Sequence, residues 1–90
     1  MGNTKKAKRK YNLLIKVNGM EYEGAGNTIE DALLDIEPPK KIGTKTIIRV
    51  THDGKSVERM VRGALILKLF HPNPFTREVV IKSFKMQFGL

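Results

Sequence analysis

The sequence predicts an α+β domain of order ββαβββ, a mostly antiparallel sheet with one short helix packed on one face. Three observations predict it. Asn18-Gly19 and Asp53-Gly54 each separate two strand-like runs by two residues that accept positive φ, the strongest short-range hairpin signal. Thr28 opens an apolar stripe at helical spacing. From Ser56 onward apolar and polar residues alternate over a long stretch.

The chain has 90 residues and a net charge of +8, enough for one modest core. Residues 1–10 carry Lys5, Lys6, Lys8, Arg9 and Lys10 with no acid. Such a segment buries too little surface to fold alone, and it reads as a basic N-terminal arm, disordered or held by a partner. Residues 11–90 form the single domain.

The first hairpin runs from Tyr11 to Val17 and from Met20 to Gly26. A two-residue loop places Val17 opposite Met20, Ile15 opposite Tyr22 and Leu13 opposite Gly24, with Lys16 opposite Glu21 on the other face. Gly24 and Gly26 read as the residues that let the strand end and turn. Thr28 is then the expected N-cap, with Glu30 and Asp31 in the first turn, where the helix dipole favours anions. Ile29, Ala32, Leu33 and Ile36 form the stripe, and Pro38-Pro39 stops the helix. Lys40-Lys41-Ile42-Gly43 is a connecting loop.

Lys45 to Thr51 is the next strand. Across the Asp53-Gly54 turn Val50 faces Val57, Thr46 faces Val61 and Arg49 faces Glu58, while Ile48 meets Arg59. The alternation predicts one long strand from Ser56 to about Phe70, with Gly63 as a bulge, and a helix over 64–70 is the competing reading. His71-Pro72-Asn73-Pro74 is a turn or loop. Phe84, Met86, Phe88 and Leu90 alternate with polar residues, and Val79-Val80-Ile81 favours extended backbone, so 75–88 is read as a final strand. The alternative there is a helix capped by Asn73 with Pro74 at its first position. As a helix it would divide Val80, Ile81, Phe84 and Phe88 from Phe75, Val79 and Met86. The layout is similar to the β-grasp in topology.

The chain has no cysteine, which removes disulfides, thiolate chemistry and Cys-ligated metal sites. His52 and His71 fall in a turn and a Pro-bounded loop, without the orienting partner that acid–base or nucleophilic catalysis requires. The acids show no oxygen-ligand loop pattern. No catalytic, cofactor or metal residues are therefore expected, and no small-molecule substrate. The longest apolar run is four residues, Ala64 to Leu67, far short of a membrane span or a signal-peptide core. The expected location is the cytoplasm or a virion, neither secreted nor membrane-spanning.

The charge is polarised. Residues 11–39 are acidic apart from Lys16, with Glu21, Glu23, Glu30, Asp31, Asp35 and Glu37, whereas 40–90 hold most of the remaining bases. This favours contact between copies or with a larger partner. The expected contact residues are Lys5, Lys6, Lys8, Arg9 and Lys10 on the arm, with Arg59, Arg62, Lys82 and Lys85 on the sheet. A final strand at the chain terminus would offer an edge for strand addition. Nucleic acid is the alternative partner. The cations suit backbone phosphates, but Tyr11, Tyr22, Phe84 and Phe88 all fall on expected core faces, where they cannot stack on bases.

Asn27-Thr28-Ile29-Glu30-Asp31-Ala32-Leu33, Pro38-Pro39-Lys40-Lys41-Ile42-Gly43-Thr44-Lys45 and Thr51-His52-Asp53-Gly54-Lys55 together resemble small uncharacterised proteins of tailed bacteriophages, over roughly residues 20–62. The resemblance implies a phage origin and a role in the virion, and it carries no functional residue with it. The expectation is a non-enzymatic structural or accessory subunit of a homo-oligomer or larger assembly. It would contact neighbours through the basic arm and sheet edge. The alternative is a sequence-nonspecific nucleic-acid-binding protein.

Overall fold

The structure, a computed structural model, describes residues 10–40 and 46–90. The arm cations Lys5, Lys6, Lys8 and Arg9 and most of the loop expected at 40–43 lie outside the described residues. Four strands, β1 (Tyr11–Val17), β2 (Met20–Gly26), β3 (Thr46–His52) and β4 (Lys55–Val61), form one sheet in the order β2-β1-β3-β4. Every neighbouring pair is antiparallel. Three helices, α1 (Ile29–Asp35), α2 (Gly63–Leu69) and α3 (Pro74–Gln87), complete an α+β fold.

Both hairpins have the predicted register. Val17 pairs with Met20, Ile15 with Tyr22 and Leu13 with Gly24. Val50 pairs with Val57, Thr46 with Val61 and Ile48 with Arg59. Asn18 and Gly19 have φ of 51° and 79°, and Asp53 and Gly54 have 52° and 73°, the left-handed pair that matches strand twist in a two-residue loop. Lys16–Glu21 at 3.8 Å and Arg49–Glu58 at 2.9 Å sit on the sheet face that the helices leave uncovered.

The other face holds Leu13, Ile15, Val17, Thr46, Ile48 and Val50, all buried. All three helices cover it, α1 with Ile29, Ala32, Leu33 and Ile36, α2 with Ile66 and Leu69, and α3 with Ile81, Phe84 and Phe88. Thr28 caps α1 as predicted, its Oγ1 accepting from Asp31 N at 3.0 Å. Gly24 and Gly26 do more than end a strand. A Cβ at Gly24 would overlap the Ile36 side chain and the Ala32 carbonyl, and one at Gly26 would meet Ala32 N and Asp31. Their bare backbone lets α1 lie directly on β2. Asp35 Oδ2 then accepts from Ala25 N at 2.9 Å, using a carboxylate of α1 to satisfy an edge amide.

The sequence expectation fails after Val61. The strand expected over 56–70 ends there, and Gly63–Leu69 is helical, as in the competing reading. Gly63 opens α2 in place of a bulge, with Arg62 as its N-cap residue in extended conformation. The strand expected over 75–88 is α3. Asn73 Oδ1 accepts from Phe75 N at 2.9 Å and Thr76 N at 3.4 Å, and Pro74 occupies the first turn. His71 anchors that cap, its Nδ1 accepting from Asn73 N at 3.0 Å. Tertiary packing decides the outcome. Ile81, Phe84 and Phe88, spaced three and four apart, present one face of a helix to the core. Phe84 is fully buried, its ring 4.5 Å from that of Phe88.

Candidate interaction surface

The absence of a final strand moves two predicted contact residues off the sheet. Lys82 and Lys85 belong to α3 and Arg62 to the start of α2, so of the four only Arg59 lies on a strand, the edge strand β4. The terminal edge proposed for strand addition does not exist, and the sheet edges are β2 and β4. The roles of the cations also divide. Arg59 Nε donates to Gln87 O at 3.1 Å, tying β4 to the C-terminal end of α3, where the helix dipole favours a cation. Lys85 Nζ lies 2.9 Å from Glu30 Oε2 and ties α3 to α1. These two make contacts within the fold, Lys85 half-buried and Arg59 exposed. Lys10, Arg62 and Lys82 are exposed.

Lys10 stands at the base of the arm beside a fixed point. The ring of Tyr11 stacks on His52 with centroids 4.1 Å apart and planes 5° apart. His52 is thus a strand-end residue covered by an aromatic, and its Nε2 lies 3.8 Å from Asp53 Oδ2. The stack holds the first residue of β1 on the last residue of β3. Among the described residues no group of three or more His, Asp or Glu side chains is placed to hold a metal ion. No helix of the described residues is long and apolar enough to cross a membrane.

The feature that sequence reading missed lies on α3. One side of this helix carries Ile81, Phe84 and Phe88 into the core. The opposite side carries Phe75, Val79 and Met86 into solvent, at 77%, 69% and 81% exposure. A surface helix of an isolated domain ordinarily has one apolar face and one polar face. Lys82 lies within the outward stripe and Lys68 of α2 beside it, where a shallow groove is lined by Lys68, Phe75, Thr76, Val79 and Val80. The signal was present in the sequence, since Phe75, Val79 and Met86 already separate from the other apolar residues at helical spacing.

A second concavity of about 510 Å³ lies between α1 and the α2–α3 corner, floored by Leu33, Ile36, Leu69 and Ile81. Leu34 overhangs it at 78% exposure, and Glu30, Arg77 and Glu78 stand at its rim. Arg77 Nη1 donates to the His71 carbonyl at 3.1 Å, so this guanidinium braces the corner.

The chain matches no protein-family model, no curated protein and no solved structure.

Proposed function

We propose that the protein is a non-enzymatic structural or accessory subunit of a larger assembly, residing in the cytoplasm or in a virion. A phage particle is the setting that the sequence resemblance implies. One observation carries the reading. A 14-residue helix presents large apolar side chains on two opposite faces, and only one of those faces is covered by the protein's own core. Contiguous exposed apolar surface on a small domain marks a contact site. Lys82 within that stripe and Lys68 beside it make the surface positive, which favours contact with acidic side chains and speeds encounter.

The second reading, a nucleic-acid binder that tracks backbone phosphates, gains one specific observation. Phe75 is an exposed aromatic on the same helix as Lys82, the type of side chain on which an unpaired base stacks.

Sedimentation and oligonucleotide binding of the full chain separate the two. A defined oligomer or partner complex, with no DNA or RNA retained at physiological salt, is the expected result. A monomer that binds oligonucleotides with a steep salt slope would reverse the ranking. Deleting residues 2–10 tests the arm. If oligomer state and partner binding are unchanged, the five arm cations have no contact role.

A further inference from the structure

The outward stripe of α3 has an internal order. Phe75, Val79, Lys82 and Met86 follow at intervals of four, three and four residues, the d-a-d-a seam of a heptad. That spacing reads the same from either end. We propose that this seam receives α3 of a second copy of the chain, antiparallel about a two-fold axis. The inference rests on the assembly reading above and names its partner.

An axis midway between residues 80 and 81 sets Phe75 opposite the second copy's Met86, and Val79 opposite the second copy's Lys82. Phe and Met are a favourable pair, because the polarisable sulfur packs well against a ring. Lys82 lays its methylene stem over valine and keeps its ammonium at the rim. A parallel pair would instead stack Lys82 on Lys82 and leave two ammonium groups in one layer. The flanks discriminate as well. Glu78 and Lys85 stand on one side of the seam, Thr76 and Ser83 on the other. In antiparallel coiled coils each flank meets its own counterpart. Glu78 of one copy therefore comes beside Lys85 of the other, extending the Glu30–Lys85 pair across the interface, while the second flank is neutral and polar. Charge and side-chain pairing thus both select the antiparallel arrangement, which the spacing permits.

The seam is short, about 16 Å from Phe75 to Met86 at 1.5 Å per residue. It is smaller than the standard interface of a stable complex. The isolated pair is therefore a weak, concentration-dependent dimer, the kind of contact that an assembly repeats or reinforces.

The protein has no cysteine, so introduced thiols report without background. Phe75→Cys and Met86→Cys proteins are prepared separately, then mixed under mild oxidation. The mixture is expected to form disulfide-linked dimer at least about tenfold faster than either protein alone. Phe75→Cys linking to itself as fast as the mixture would show a parallel pair and overturn the proposal. So would an absence of linkage above the rate of an exposed control cysteine, as expected if an acidic helix or a lipid surface is the true occupant.

Val79→Lys and Val79→Glu give a second, independent measurement, because both remove the same apolar surface. Val79→Lys sets ammonium against the second copy's Lys82, whereas Val79→Glu sets a carboxylate there. Sedimentation equilibrium is expected to show self-association at least about tenfold weaker for Val79→Lys than for Val79→Glu. Equal weakening would overturn the seam. All these positions are exposed, and circular dichroism checks that each variant folds. Self-association with the wrong linkage pattern removes this seam and leaves the assembly reading standing. A chain that stays monomeric and binds oligonucleotides with a steep salt slope removes both.

Discussion

Lys85 Nζ meets Glu30 Oε2 at 2.9 Å, joining the last turns of α3 to the first turn of α1 across 55 residues of sequence. The carboxyl of Glu30 is held below its ordinary value, chiefly by the hydrogen bond from Lys85 and against a smaller opposing effect of burial. A carboxylate whose folded-state value is lowered contributes stability that is present above its unfolded value and lost as pH falls through the folded one. Both side chains are partly solvated, so the pair is worth on the order of 0.5 kcal/mol. Lys85→Met is expected to lower stability by about that much at neutral pH. The difference from wild type should shrink as the pH falls below about 4.5, the ordinary value for this group. Urea titrations across pH measure it, and a difference that stays constant into strong acid would show that the pair contributes nothing.

Thr46 is fully buried at the start of β3, and its Oγ1 has no hydrogen-bond partner among the described residues. Thr46→Val keeps the branched shape that suits a strand and removes an unsatisfied hydroxyl. Stability should rise by about 1 kcal/mol. A decrease on substitution, read as a lower denaturation midpoint, would mean that the hydroxyl is satisfied in solution.

Two glycines are needed for different reasons. Gly19 has positive φ with nothing near its missing Cβ, so Gly19→Ala strains only the turn and should cost about 1 kcal/mol. Gly24 is where α1 rests on β2, and Gly24→Ala drives a methyl into Ile36 and the Ala32 carbonyl. Displacing a packed helix should cost about 2–3 kcal/mol, more than the turn strain at Gly19. Thermal melts of the two variants compare them directly, and equal losses would mean that α1 does not sit against bare backbone.

The two faces of α3 should respond unequally to truncation. Phe84→Ala empties a fully buried site and is expected to cost about 3–5 kcal/mol. Phe75→Ser removes a ring that is 77% exposed and should change monomer stability by no more than about 0.5 kcal/mol. Both are read from denaturant unfolding at low protein concentration, where self-association does not contribute. A large loss for Phe75→Ser would place that ring inside the fold.

The hairpins and α1 were legible because local chemistry and global pattern agree there. Asn-Gly and Asp-Gly turns set the register, and Thr28 with Pro38-Pro39 brackets the helix. From Gly63 onward local cues conflict. The caps Asn73 and Pro74 signal a helix, but Val79-Val80-Ile81 and the alternation of Phe84, Met86 and Phe88 mimic a strand. The alternation arises because α3 has apolar residues on two opposite faces, so no single stripe stands out. Phe84 and Phe88 serve the core and Met86 the outside, a division that the one-face expectation of an isolated domain does not reveal. The contact cations Arg59 and Lys85 were identifiable as charges, whereas their engagement by Gln87 and Glu30 depends on helix packing that the misassigned strand concealed.

The order β2-β1-β3-β4 also bears on how the chain folds. Each hairpin closes locally, and the two meet only where β1 pairs with β3, Val17 against Thr46 and Tyr11 against His52. Within the sheet one non-local closure therefore stands between two quick hairpins and a complete array of strands. Its entropic cost grows slowly, by roughly 0.6 kcal/mol for each doubling of the loop. The helical pair after Val61 then docks on the finished face, where Phe84 and Phe88 join the core and Lys85 reaches Glu30. Such a topology favours rapid folding, with β1 and β3 as the strands whose pairing governs the rate.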